Sequence, residues 1–205
     1  MHDLLFKSIV DLLPPSLDAL LAFLRASPSP FHAVTQAASR LDGAGFVAVA
    51  PVSSWRELPP KGYAIRDGAL VAWASAGSTP HGPFRVIGAH TDSPNLRLKP
   101  RPDTGVAGWR QLAIEVYGGA LVNSWLDRDL GVSGRVVTGA GETALVHVDR
   151  PLARVAQLAI HLDRDVNERG LVLDKQQHLT PVWGTGTARP GEFRDWSANS
   201  EPKRR

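Results

Sequence analysis

The sequence contains no cysteine, no apolar run long enough to span a bilayer and no adjacent pair of glutamates. Without cysteine there can be no disulfide and no zinc site built on thiolates, and this composition fits a reducing, cytoplasmic setting. The missing apolar run predicts that the chain does not cross a membrane. Basic and acidic residues interleave to a net charge of only +3. The one dense basic run, residues 203–205, is interpreted as a solvated tail, so nucleic-acid binding is not predicted.

The first hundred residues carry alternating helix and strand signals. Of the 205 residues, 43% are hydrophobic and 21% are charged, which suits a globular chain of one or two domains. Residues 1–13 and the stretches that begin after Ser16 and Ser29 have helical apolar spacing, with the two serines as N-caps. Asp67-Gly68 lies between two β-like runs and predicts a hairpin. Together these signals predict an α/β fold.

The composition of the sequence changes near residue 100, where proline and glycine become frequent. We therefore predict that residues 1–100 form one domain and residues 101–183 a β-rich module with few helices. Its short strand candidates are residues 111–116, 134–137, 143–147 and 158–162. Residues 184–205 have no apolar period and many breakers, so an irregular, poorly ordered tail is expected.

His90 and Asp92 follow directly after an apolar run, residues 84–87, that is typical of a buried strand. On an extended backbone residues i and i+2 point to the same side, so both side chains can face one cavity at the strand's end. A neutral imidazole is a good zinc ligand, and a nearby carboxylate can fix its tautomer. A strand-end histidine beside a capping aspartate would give the same pattern, and the spacing alone leaves both interpretations open.

Among the other histidines, one is of interest and four are expected to serve local structure or to face solvent. His161 lies in the apolar run 158–162, which predicts a buried imidazole that needs a partner. A hydrogen bond to backbone in the core would satisfy it as well as a functional role would. In residues 127–129, an arginine bonded to its flanking aspartates is favoured over a metal site. Those four are His32, expected at the surface or in a local bond, His81 and His147, expected in solvent, and His178, expected in a loop.

Several segments, in the same order along the chain, resemble the aspartyl aminopeptidase family of zinc metallopeptidases. They are residues 27–34 (SPSPFHAV), 88–100 (GAHTDSPNLRLKP), 115–119 (EVYGG), 125–130 (WLDRDL) and 158–162 (LAIHL). The resemblance covers roughly residues 15–183, and none is expected after about Gly184.

The resemblance implies an α/β peptidase domain into which a β-rich dimerisation module is inserted, and hence a homo-oligomer acting on peptides. It also implies that His90 binds zinc, that Asp92 is a catalytic residue orienting the site, and that His161 serves the zinc site of a partner subunit. The implied activity is release of N-terminal, acidic residues from peptides.

The family's remaining metal ligands and its pair of glutamates have no counterpart in this sequence. A catalytic zinc site normally has three protein ligands and an open position, and the hydrolase also needs a general base. We therefore expect the N-terminal part of such an enzyme, truncated or read out of frame after about residue 183. Two functions stand: a metalloaminopeptidase by descent with an incomplete site, or a non-catalytic subunit that self-associates through its β module.

Overall fold

The computed structural model describes residues 17–51, 58–75 and 83–199. Contacts divide the chain into two compact units. Unit 1 comprises the described residues of Met1–Ser93 and Ser133–Leu145, and unit 2 those of Pro94–Val132 and Val146–Arg205. No helix among the described residues is long and apolar enough to cross a membrane. The helix expected at residues 1–13 and its successor's cap, Ser16, lie outside the described residues.

Two helices open unit 1. Helix α1 spans Leu17–Arg25 and α2 spans Pro30–Gly43. As predicted, Ser29 caps α2, because its Oγ accepts the His32 backbone N–H at 3.4 Å. Helix α2 buries Val34, Ala38 and Leu41, and the last two share a small core with Phe46 and Tyr63. The leucines of α1 are 37–68% exposed, so the apolar stripe predicted for this helix has little cover within the unit.

The sheet of unit 1 has three strands in the order β1-β2-β3. They are β1 (Val47–Ala48), β2 (Lys61–Arg66) and β3 (Ala69–Ala74), with β1 parallel and β3 antiparallel to β2. Arg66 pairs with Ala69, which confirms the hairpin predicted from Asp67-Gly68. Asp67 has φ +54°, a left-handed conformation that aspartate tolerates better than most residues.

Residues 84–87 do not form the buried strand that their apolar sequence predicts. Residues 83–94 have no regular secondary structure, and Phe84, Val86 and Ile87 are 93%, 87% and 71% exposed. A strand forms only where a neighbouring strand accepts its backbone hydrogen bonds and a second layer covers its side chains. In the part of the chain that the structure describes, no strand pairs with this segment.

The second sheet, most of which lies in unit 2, has five strands in the order β4-β5-β8-β7-β6. The strands are β4 (Asn95–Val106), β5 (Trp109–Tyr117), β6 (Asp129–Val137), β7 (Thr143–Arg154) and β8 (Val182–Thr185). Its core is formed by Leu112, Ile114, Leu126, Val155, Leu179 and Phe193. Residues 111–160 contain strands and a single 3₁₀ turn (Val122–Trp125) but no α-helix, as predicted for a β-rich module. A short helix, α3 (Val166–Arg169), follows.

The predicted boundary at residue 100 falls inside β4. The prolines that suggested it, Pro100 and Pro102, lie at a register shift between Leu98 and Asp103, where a strand tolerates a missing N–H. The glycine-rich stretch after them is a two-residue hairpin turn, Ala107-Gly108, with φ values of +53° and +81°. Both positive φ values are those of a type I′ turn. The chain passes between the two units at Ser93–Pro94, Val132–Ser133 and Leu145–Val146.

The prediction of an irregular tail is wrong for the residues described up to 199. β8 completes the large sheet, and α4 (Glu192–Asn199) packs on it through Phe193, which is 4% exposed. The ring of Phe193 meets Trp183 edge-on at 5.3 Å and stacks on Trp196 at 5.4 Å. Asp103 fixes the start of α4, because its carboxylate accepts the backbone N–H groups of Gly191 and Phe193, both at 2.8 Å.

We expect Asp103→Ala to destabilise unit 2 by about 1–2 kcal/mol, because it removes the acceptor for two N–H groups at a helix start. Asp103→Asn should cost less, since the amide oxygen keeps one acceptor. Urea unfolding followed by tryptophan fluorescence measures the change. Asp149→Ala, an exposed aspartate of β7, is the matched control. If Asp103→Ala lowers the free energy of unfolding no more than this control, the cap does not hold α4.

The hydrogen bond of Tyr63 makes the free energy of unfolding depend on pH in the alkaline range. Tyr63 donates a hydrogen bond to Asp42 Oδ1 at 2.7 Å, and this bond, with burial and the charge of Asp42, raises the pKa of Tyr63 above its ordinary 10.0. The folded state therefore holds the phenol proton more tightly than the unfolded state. This stabilisation is fully present below pH 10 and is lost as the pH rises through the folded-state value.

Tyr63→Phe should accordingly cost about 1 kcal/mol at neutral pH and flatten the alkaline loss of stability. The measurement is the free energy of unfolding between pH 7 and 11. An unchanged alkaline slope in the variant would contradict the proposed linkage.

Candidate functional site

His90 and Asp92 meet at the end of the irregular segment 83–94. The Nδ1 atom of His90 lies 2.8 Å from the backbone oxygen of Asp92 and 3.0 Å from its Oδ1. Both neighbours are acceptors, so Nδ1 carries the proton and donates it. This leaves the lone pair on Nε2, the tautomer in which Nε2 binds a metal. The prediction that both side chains share one side is confirmed. The predicted cavity is not there, because the imidazole is 82% exposed.

Thr91, between the pair, ties the segment to the β2–β3 turn. Its hydroxyl donates to the backbone oxygen of Gly68 at 2.6 Å. The side chains of His90 and Asp92 bond to each other, whereas the side chain between them bonds to the turn. The sequence pointed to the Asp67-Gly68 turn and to the His90–Asp92 pair, but it carried no signal that one is bonded to the other.

His161 is neither buried nor in a strand. It lies in a turn of unit 2 closed by the Leu162 N–H bonding to Ala159 O at 2.8 Å, and its side chain is exposed. Its apolar neighbours Leu158, Ile160 and Leu162 are 59%, 45% and 74% exposed. The prediction of a buried strand over residues 158–162 is therefore wrong, since an apolar run predicts burial only where another layer is present to cover it. His90 belongs to unit 1 and His161 to unit 2.

The aspartates of residues 127–129 do not bond to the arginine between them. Asp129 pairs instead with Arg154 across the sheet, and this carboxylate raises the pKa of the guanidinium. Asp127 Oδ1 accepts the Gln157 N–H at 3.4 Å, while Arg128 is exposed. Both partners of the Asp129–Arg154 pair are about half exposed, so the pair contributes little to stability. The bond expected between Arg128 and its flanking aspartates is therefore wrong.

His81 lies outside the described residues, and His32, His147 and His178 have the local or exposed settings predicted for them. His32 Nδ1 lies 2.7 Å from the capping Ser29 Oγ, and His147 is exposed on β7. His178 Nδ1 accepts the Asp174 N–H at 2.9 Å in a turn. The carboxylate of Asp174 accepts the backbone N–H groups of Gln177 and Gln176, and these bonds lower its pKa. None of the three histidines has the setting of a metal ligand.

Unit 2 also contains an apolar cavity of about 210 Å³ on the inner face of its sheet. Its walls are mainly aliphatic, from strands β4 to β7, and Asp129 is its one charged lining residue. Because this carboxylate is already paired with Arg154, the cavity offers no free acid or base. Among residues 17–51, 58–75 and 83–199, no three His, Cys, Asp or Glu side chains are grouped so that they could hold a metal ion. The His90–Asp92 pair is therefore the best candidate site.

Comparison with known proteins identifies the family. The sequence model of the aminopeptidase I zinc metalloproteases (M18) matches residues 23–203. The chain is 60% identical over 179 residues to a probable M18 family aminopeptidase 2 of Streptomyces avermitilis, covering 87% of this chain and 40% of the relative. Against the Mycobacterium leprae protein of the same description the identity is 51%, with 85% of this chain and 42% of the relative covered.

Solved structures agree. The cryo-EM structure of the Ape4 and Nbr1 complex matches with a TM-score of 0.74 and 33% identity, over 87% of this chain and 34% of that one. Chaetomium thermophilum mApe1 matches with a TM-score of 0.71 and 32% identity, over 82% of this chain and 40% of that one. The yeast mApe1 dodecamer matches with a TM-score of 0.64 and 28% identity, over 83% of this chain and 38% of that one.

The chain thus spans about 40% of the length of the curated relatives it matches. The similarity runs on to residue 203, so the expectation that it stops near Gly184, and the out-of-frame interpretation that followed, are wrong. The α/β fold, the resemblance of the motifs and the family model all agree. The chain belongs to the M18 family of zinc metalloproteases, the aminopeptidase I family.

Proposed function

We propose that this chain contributes His90 and Asp92 to the zinc site of an aminopeptidase that releases N-terminal, preferably acidic, residues from peptides. The observation that carries the proposal is the bonding of His90. With Nδ1 donating to the backbone oxygen and to Oδ1 of Asp92, the imidazole is held in the tautomer whose Nε2 can bind a metal. Zinc is named because the family is one of zinc metalloproteases. The preference for acidic residues rests on the resemblance of the motifs alone.

The roles of the two residues follow from this arrangement. His90 would hold zinc through Nε2, and Asp92 would orient the ring and increase the basicity of the ligand nitrogen. When bound, zinc polarises the scissile carbonyl and lowers the pKa of a water molecule. One histidine supplies a single ligand without neutralising the charge of the ion, whereas a catalytic zinc site uses three. The described residues bring no further ligands to this pair.

We therefore expect the purified chain to bind Zn²⁺ weakly and to show little or no aminopeptidase activity. Zinc binding is measured by calorimetry, and hydrolysis is measured with aspartyl, glutamyl and leucyl peptides. His90→Ala should reduce zinc binding, whereas the control His147→Ala, an exposed histidine on β7, should leave it unchanged. Turnover that His90→Ala abolishes would show that this chain holds a complete site. Equal zinc binding by both variants would refute the assignment of His90.

We further propose that the chain self-associates and that His161 serves the zinc site of a second copy. Two observations favour this. The imidazole and its neighbours Leu158, Ile160 and Leu162 are exposed on one turn, so a second copy can reach them. A solved relative, yeast mApe1, is a dodecamer. The other candidate function, a subunit that only assembles and has no part in catalysis, lacks an observation that favours it.

Mixing single variants tests the sharing of sites. His90→Ala and His161→Ala should each lose zinc affinity, and a mixture of the two should recover it in part. One of the two sites in each mixed pair then has both histidines. The measurement is zinc affinity of each variant and of the mixture, at a chain concentration where light scattering finds the oligomer. No recovery in proven mixed oligomers would rule out a shared site.

A further inference from the structure

The residues that hold the His90–Asp92 pair come from three separate parts of unit 1. They are the β2–β3 turn at Asp67-Gly68, the first turn of α2, and Arg135 on β6. We propose that Thr91 and Arg135 are positioning residues for His90. Thr91 fixes the pair directly, and Arg135 acts through the turn to which Thr91 is bonded. This inference rests on the proposed role of His90 as a zinc ligand.

Thr91 is bonded directly to the β2–β3 turn. The bond length of 2.6 Å is that of a good O–H···O hydrogen bond, and the acceptor is a backbone oxygen, whose place is set by the hairpin. Because residues 83–94 have no regular secondary structure, bonds of this kind, rather than a sheet, determine where the segment lies. Thr91 is flanked by both site residues, so an anchor here constrains the two at once.

The β2–β3 turn is itself supported by α2 and by Arg135. A side-chain carbon at Gly68 would lie only 3.0 Å from Pro30 Cβ, so the turn packs closely on the start of α2. Asp67, beside it, forms an ion pair with Arg135 at 2.7 Å. The guanidinium of Arg135 also lies over the ring of Phe31, 4.5 Å from its centre. Arg135 therefore joins the turn to the first turn of α2.

Arg135 is in turn held in place through a neighbour on its strand. Its strand neighbour Ser133 donates from Oγ to the backbone oxygen of Pro28 at 2.8 Å, just ahead of α2. Residues Ser133–Leu145 belong to unit 1 by their contacts, although β6 and β7 continue into the sheet described for unit 2. The strand thus enters unit 1 at Ser133 and brings a cation to the turn. Separations of 68 residues between Arg135 and Asp67 and 23 between Thr91 and Gly68 make this a tertiary arrangement.

The test uses the isotopically labelled chain and two readouts. Amide order parameters of His90, Thr91 and Asp92 report the anchoring, and Zn²⁺ titration followed by the His90 ring signals reports ligand geometry. Thr91→Val should lower the three order parameters and weaken zinc binding about threefold to tenfold, the equivalent of one hydrogen bond. Thr91→Ser, which keeps the hydroxyl, should restore both. Thr143→Val, an exposed threonine of the same unit, is the control.

Arg135→Gln should change the same two readouts in the same direction but less, since it acts through the turn. Arg154→Gln, which removes a comparable surface ion pair in unit 2, should change neither. Tryptophan fluorescence during urea unfolding confirms that each variant is folded. Unchanged order parameters in folded Thr91→Val, or no restoration by Thr91→Ser, would overturn the inference. Reduced order parameters in a chain that binds no zinc at all would support the anchoring and refute the proposed function instead.

Discussion

A strand requires neighbours that pair with its backbone and cover its apolar side chains, and this requirement divides the chain. In the five-stranded sheet every strand is hydrogen-bonded to a neighbour, and the inner side chains share a core with α4. In unit 1 the run 84–87 has the residues of a buried strand but no pairing strand among the described residues. Its side chains consequently remain exposed. The His90–Asp92 pair, which follows this run, lacks the rigid sheet edge that its sequence context implies.

The pair is nevertheless ordered by polar contacts. The imidazole donates to two oxygens of Asp92, and Thr91 bonds to the backbone of a tight hairpin. Each bond is exposed and modest in energy, since water competes for the same groups. These bonds matter for geometry, because they fix one tautomer of His90 and determine where the pair lies. A ligand atom can therefore be specified locally even where the surrounding sheet is not formed.

Local signals predicted much of the fold. The Ser29 cap, the Asp67-Gly68 hairpin and the β-rich character of residues 111–160 depend on short-range chemistry, and the structure confirms them. The failures depend on long-range contacts. The sequence of the tail lacks an apolar period because its packing comes from aromatic rings spaced along it and from Asp103, which lies 88 residues before Gly191. The prolines of β4 suggested a boundary, but a bulge accommodates them within one strand.

The predictions for the candidate site also divide into those based on local chemistry and those that depend on long-range contacts. The His90–Asp92 pair could be predicted because residues i and i+2 share a side of an extended chain, and the two side chains do meet. The exposure of His161 could not, since an apolar run states what its side chains prefer and says nothing of what is available to cover them. Zinc belongs to the description of the family, and one imidazole with a carboxylate behind it is compatible with several divalent ions. What the geometry adds is the ligand atom. With Nδ1 committed to Asp92, any metal bound by this histidine must be bound through Nε2.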